Sequence, residues 1–122
     1  MNNEEAKQAI AQIDYKISIL MSAIASLNKD KQKLRSDLTA LNSKKKDRLR
    51  KLQDDINSTR LPQQKKRKRE VKAREGKVFD NQIMSKKKQI DTLAKRLVEK
   101  KDEVAKLRVL KQRIKLEINK SK

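Results

Sequence analysis

Residues 6–27 read AKQAIAQIDYKISILMSAIASL, and within them Ala6, Ile10, Ile13, Ile17, Leu20, Ile24 and Leu27 recur at alternating steps of four and three. That spacing puts one apolar side chain per turn on a single helix face, the seam of a coiled coil. The seam runs on through Leu34, Leu38 and Leu41, with Lys31 its sole polar interruption. Beyond the only proline, Pro62, a second stripe reads Phe79, Ile83, Ile90, Leu93, Leu97, Val104, Leu107, Ile114 and Ile118. Lys86, Lys100 and Lys111 occupy the seam positions between them.

Folding the chain at Pro62 makes the stripes face each other. With paired residue numbers adding to 124, Ala6 meets Ile118, Ile17 meets Leu107, Leu27 meets Leu97 and Leu41 meets Ile83. Every seam lysine then faces an apolar residue: Lys31 faces Leu93, Lys86 faces Leu38, Lys100 faces Ile24 and Lys111 faces Ile13. A lysine stem can lie along such a neighbour while its ammonium reaches water. A seven-residue shift keeps the same phase, so the register is preferred because it centres the turn on Pro62.

Composition agrees with long helices and disagrees with a globular core. Of 122 residues 42% are charged and 2% aromatic, with one Gly, one Pro and a mean hydropathy of −1.03. Such a chain reads as a long-helix class. The expected fold is all-α: a long antiparallel coiled-coil helical hairpin, residues 1–122 forming one elongated domain. Arm one covers about 3–60, the turn about 60–64 and arm two about 64–120. Each arm would reach about 80 to 90 Å at 1.5 Å per residue.

Local signals place the ends. Asn3 before Glu4 and Glu5 reads as an N-cap with carboxylates at the positive end of the helix dipole, and Lys120 and Lys122 suit the negative end of arm two. Asn57, Ser58 and Thr59 are weak helix formers ahead of Leu61-Pro62, where arm one should stop. Arm two begins either at Gln63, carrying Gly76 inside the helix, or at Asp80 after a basic loop; the first is preferred. In arm one the seam slips after Leu41 and resumes at Leu49, Leu52 and Ile56 across Lys45 and Arg48, a four-residue stutter. Gly76 lies level with that slip, so both arms are irregular at one height, where a break is the alternative to a continuous helix.

From Ile17 to Leu27 the helix is apolar on more than one face, because Ile19, Met21, Ala23 and Ala25 lie outside the seam and no charge interrupts them. A two-helix hairpin cannot cover all of these. The expectation is a homodimer through the base of the hairpin, with Ile17, Ile19, Leu20, Met21, Ala23 and Ile24 at the interface.

Charge is concentrated elsewhere. Residues 1–42 hold six Lys/Arg against five Asp/Glu; residues 43–78 hold fifteen against five; residues 79–122 hold fourteen against six, which together make the net charge of +19. The densest run is Lys65, Lys66, Arg67, Lys68 and Arg69, followed by Lys72, Arg74 and Lys77. Lys44, Lys45, Lys46, Arg48, Arg50 and Lys51 lie on the facing arm. Consecutive cations on a helix repel one another, so a cluster with so few acids nearby points to an external polyanion. Nucleic-acid phosphates are the commonest candidate, bound through counterion release without sequence reading. A solvated coiled-coil face is the plainer account, and it suits Lys86 to Lys88 or Lys100-Lys101 as well as binding does.

Tyr15 and Phe79 are the only aromatics, so a stacking platform for single-stranded bases is missing. No helix-turn-helix, zinc-finger or ribonucleoprotein spacing carries base recognition. The expected function is therefore non-enzymatic binding to the phosphate backbone of duplex DNA or structured RNA through a basic tip. In shape alone the hairpin is similar to the coiled-coil arm of seryl-tRNA synthetases, with no motif matching residue by residue. The alternative is a structural or adaptor coiled coil whose tip docks on an acidic protein or anionic membrane.

No cofactor and no metal site is expected. Cys and His are absent, and Asp54-Asp55 and Asp102-Glu103 are adjacent helical residues that point apart. No catalytic residue suggests itself, because the chain lacks a nucleophile–base pair and a Gly-rich phosphate loop. The longest uncharged stretch, 17–28, falls short of the roughly 20 apolar residues of a membrane span. The N-terminus lacks the basic start and apolar run of a secretory signal. An intracellular protein is expected, with a nucleus or a nucleoid as the compartments that suit nucleic-acid binding; in a eukaryote Lys65 to Arg69 also reads as a nuclear localisation signal.

Overall fold

The structure, a computed structural model, describes residues 2–120. Helix α1 spans Asn3–Ser58 and helix α2 spans Pro62–Lys120, and the two pack against each other as a helical hairpin.

Each end has a local cause. The cap of α1 is Asn2, one residue ahead of the Asn3 suggested by the sequence: its Oδ1 accepts the Glu5 N–H at 2.8 Å and its carbonyl the Ala6 N–H at 3.0 Å. At the other end the hydroxyls of Ser58 and Thr59 both donate to the Asp55 carbonyl, at 3.0 and 2.7 Å, satisfying an acceptor that the helix leaves open. Residues 59–61 make the connection. Pro62 then occupies the first position of α2, where a missing N–H costs nothing and the fixed φ suits the helix, and the Leu61 carbonyl accepts the Lys65 N–H at 2.9 Å. Arm two thus begins at Pro62, one residue before the preferred Gln63 and two before the approximate bound of 64, and Gly76 lies within α2 as in the preferred reading. Lys122 falls outside the described residues.

Contacts divide the hairpin into two units. The first joins the part of α1 up to Lys31 to the part of α2 from Leu93; the second, the turn unit, is Gln32–Thr92.

The first unit is held by apolar packing. Ala6, Ile13 and Ile114 are buried, with Ala9, Ile10, Ile17, Leu107 and Ile118 against them. A second cluster buries Ile24, Leu97 and Val104 beneath Ile17, Leu20 and Leu27, so Ile17 touches both. An Ile, Leu or Val side chain contributes about 1.5 to 3 kcal/mol when fully buried. Lys111 is half-buried, and its ammonium lies 2.5 Å from Asp14 Oδ1. The ammonium thus pairs with a carboxylate on the facing helix.

The turn unit has a thinner core and more ion pairs. Its buried apolar residues are Ile56 and Ile83, joined by the buried Thr59. Half-buried Leu34, Leu38, Leu41, Leu49, Leu52, Phe79 and Ile90 flank them. Four of the five ion pairs among the described residues lie here: Lys45–Asp80, Arg48–Glu75, Lys68–Asp55 and Lys86–Asp37. Exposed pairs of this kind contribute about 0 to 1 kcal/mol each.

At the expected slip, Lys45 takes the seam position, half-buried and paired with Asp80, while Arg48 is exposed and pairs with Glu75. On α2 the half-buried positions continue from Phe79 towards the turn through Gly76, Lys72, Lys68 and Lys65, again at steps of three and four. Three residues of the basic cluster are therefore inner positions of the hairpin.

Helix α1 also contains an 18-residue window of mean hydropathy 1.3, of which 11% is buried, with no more than two charged residues. By length and composition that window is enough to cross a membrane, although the fully uncharged stretch is shorter.

Candidate nucleic-acid interface

All fourteen basic residues singled out in the sequence lie in the turn unit, which carries twenty Lys/Arg against eight Asp/Glu, a net +12. They divide into two sets by what their side chains touch.

The first set is used within the fold. The Lys68 Nζ donates to Asp55 Oδ1 at 3.0 Å and to Thr59 Oγ1 at 2.8 Å, tying α2 to the last turn of α1. One turn further on, Lys72 Nζ donates to Gln53 Oε1 at 2.6 Å, and Gln53 Nε2 donates to Asn57 Oδ1 at 2.9 Å. Lys45 donates to Asp80. Arg48 grips Glu75 with two parallel bonds, Nε to Oε2 at 2.9 Å and an Nη to Oε1 at 3.1 Å. That bidentate geometry is the strong form of the arginine–carboxylate contact. The hydrogen bond to Arg48 holds the Glu75 carboxyl below its ordinary value, and the same bond raises the Arg48 guanidinium.

The second set has ten members without an ion pair or side-chain hydrogen bond: Lys44, Lys46, Arg50, Lys51, Lys65, Lys66, Arg67, Arg69, Arg74 and Lys77. Nine are exposed; Lys65 is half-buried. The sequence treated the cluster as without internal partners. Lys45, Arg48, Lys68 and Lys72 have them, and the signal that could have singled out Lys68 and Lys72 is the seam period carried back from Phe79.

Two shallow grooves of this unit are each lined by several residues of the basic cluster. One, of about 600 Å³, runs past Gly76 and is lined by Lys45, Arg69, Lys72, Lys77 and a single acid, Asp80. The other, of about 530 Å³, runs past Phe79 and is lined by Lys44, Arg48 and Lys51 with two acids, Asp47 and Glu75. Among the described residues no group of three or more acidic side chains is placed to hold a metal ion.

In the first unit, Ile24 is buried, and Ile17 and Leu20 pack into the same cluster with α2. Ala23 is half-buried, while Ile19 and Met21 are 52% and 45% exposed. Of the six residues suggested for a dimer interface, Ile19 and Met21 are thus the ones left uncovered within one chain.

No protein-family model, no curated protein and no solved structure matches this chain.

Proposed function

We propose that the protein is a non-enzymatic nucleic-acid-binding hairpin whose turn unit contacts the phosphate backbone of duplex DNA or structured RNA. The observation that carries this reading is the set of ten basic side chains without internal partners, crowded on a unit of net charge +12. Their mutual repulsion opposes folding, and neutralisation by phosphates with release of condensed counterions relieves it. Recognition is of backbone rather than base, since one Tyr and one Phe supply almost no stacking surface.

The hairpin is proposed to be an antiparallel coiled coil in the register expected from the sequence. In its support, the five ion pairs join residues whose numbers add to 123 or 125, on either side of 124. Dimerisation through the stretch around Ile19 and Met21 completes the proposal: the two lie on different sides of α1, and both are left exposed within one chain.

Titration of labelled duplex DNA and hairpin RNA with the wild type and with a Lys66→Gln, Arg67→Gln, Arg69→Gln triple variant tests the function. Tight binding by the wild type, weakened in a variant of unchanged helicity, supports it. Equal binding by the two proteins overturns the assignment to this cluster.

A further inference from the structure

The two grooves of the turn unit that hold several cations differ in a way that favours one of them for the ligand. In the groove past Phe79 the charges almost cancel: Arg48 is locked to Glu75, and Asp47 offsets one of the two remaining lysines. In the groove past Gly76 the single acid, Asp80, is already neutralised by Lys45. Three cations remain there. Arg69 and Lys77 have no partner, and Lys72 donates only to the neutral carbonyl of Gln53, which leaves two of its three N–H bonds for another acceptor.

The floor between these cations is low. Ala73 stands midway between Arg69 and Lys77, and Gly76 presents no side chain beside Leu49 of α1, which with Ile56 borders the groove on its other side. Arg69 and Lys77 lie two turns apart on one face of α2, about 12 Å along its axis. That is the axial rise of three to four nucleotides of a duplex strand at about 3.4 Å each.

Resting on the function proposed above, we infer that the groove past Gly76 is the phosphate track: one strand of the nucleic acid lies along it with its phosphodiesters on Arg69, Lys72 and Lys77. The small floor lets the backbone approach the helix, and the absence of an open carboxylate avoids repulsion. The groove past Phe79 makes little contribution to binding.

A single added carboxylate tests the track without threatening the fold. In Ala73→Glu the new side chain lies one turn from both Arg69 and Lys77, so two i,i+4 pairs support the helix while they occupy the cations. Ala40→Glu, on an exposed position of α1 in the same unit, makes the same change in net charge and serves as the control. Affinity for duplex DNA at fixed salt should fall about tenfold in Ala73→Glu and about twofold or less in Ala40→Glu, with melting of Ala73→Glu at or above the wild type. In a second arm, Arg69→Gln with Lys77→Gln should lower the salt slope by about 2, and Lys44→Gln with Lys51→Gln by well under 1. Equal effects from both members of each comparison overturn the track and leave nucleic-acid binding intact. A wild type that binds no nucleic acid overturns both.

Discussion

Lys68 Nζ lies 3.0 Å from Asp55 Oδ1 and 2.8 Å from Thr59 Oγ1, so a residue in the middle of the most basic run of the chain is also the tie that closes the turn. Its neighbours Lys66, Arg67 and Arg69 point away from the fold. One stretch of five cations therefore serves two purposes: Lys68 ties the hairpin, and Lys66, Arg67 and Arg69 are exposed to a ligand.

Stability and binding should separate along that division. Lys68→Gln removes an exposed ion pair and a hydrogen bond to the buried Thr59 hydroxyl, and is expected to lower stability by about 1 kcal/mol. Lys66→Gln should leave melting unchanged and weaken duplex binding more than Lys68→Gln does. Thermal melts and DNA titrations of the two variants side by side check this; identical behaviour in both assays contradicts it.

Gly76→Ala should stabilise the protein. The glycine is inside α2 with no positive φ, and an added Cβ would meet the Leu49 Cδ atoms at 3.8 and 3.9 Å, ordinary contact distances. Replacing a mid-helix glycine by alanine is worth about 0.5 to 1 kcal/mol. A lower melting temperature in the variant would show that the helix does not run unbroken through this point.

The apolar clusters give a sharper contrast. Leu97 is 4% exposed between Ile24 and Val104, whereas its neighbour Val98 is 59% exposed. Leu97→Ala should cost about 2 to 5 kcal/mol and Val98→Ala no more than about 0.5 kcal/mol. Denaturant midpoints of the two variants measure the difference, and similar losses would contradict the packing described.

Much of this packing is legible in the sequence because apolar side chains at steps of three and four identify a buried helix face directly. Lys31, Lys86, Lys100 and Lys111 are half-buried at the positions that the period assigns them. The inner positions of Lys65, Lys68 and Lys72 were missed for a physical reason: a lysine at a seam position has the same composition as a lysine on the surface, and only its helical phase distinguishes them. Five cations in a row obscure that phase. Separation along the chain hides which acids the cations choose, since Glu75 and Asp55 lie 27 and 13 residues from Arg48 and Lys68 and come opposite them only once the register is set.

Acid should weaken the turn unit at one identifiable contact. The Arg48 bond holds the Glu75 carboxyl below its ordinary 4.5, so the folded state favours the ionised form more than the unfolded chain does. The resulting stability is present above about pH 4.5 and is lost as pH falls through the lowered value. The difference in melting between the wild type and Glu75→Gln should therefore be constant from pH 7 to about pH 5 and shrink below that. A difference that grows on acidification would reverse the sign and remove Glu75 from the account.

Ile19→Glu should halve the mass seen in sedimentation if the uncovered pair Ile19 and Met21 joins two chains, while helical circular dichroism is retained. A wild type that sediments as a monomer contradicts the dimer and leaves the turn unit's function untouched.

The most direct test of the central claim is the salt dependence of duplex DNA binding by the wild-type protein, read by fluorescence anisotropy. About six phosphate contacts give a slope of log affinity against log salt near −5, and that steep fall is the result expected. Affinity that does not change with salt, or no binding at about 0.15 M salt, would contradict the claim that the free cations of the turn unit bind a nucleic-acid backbone.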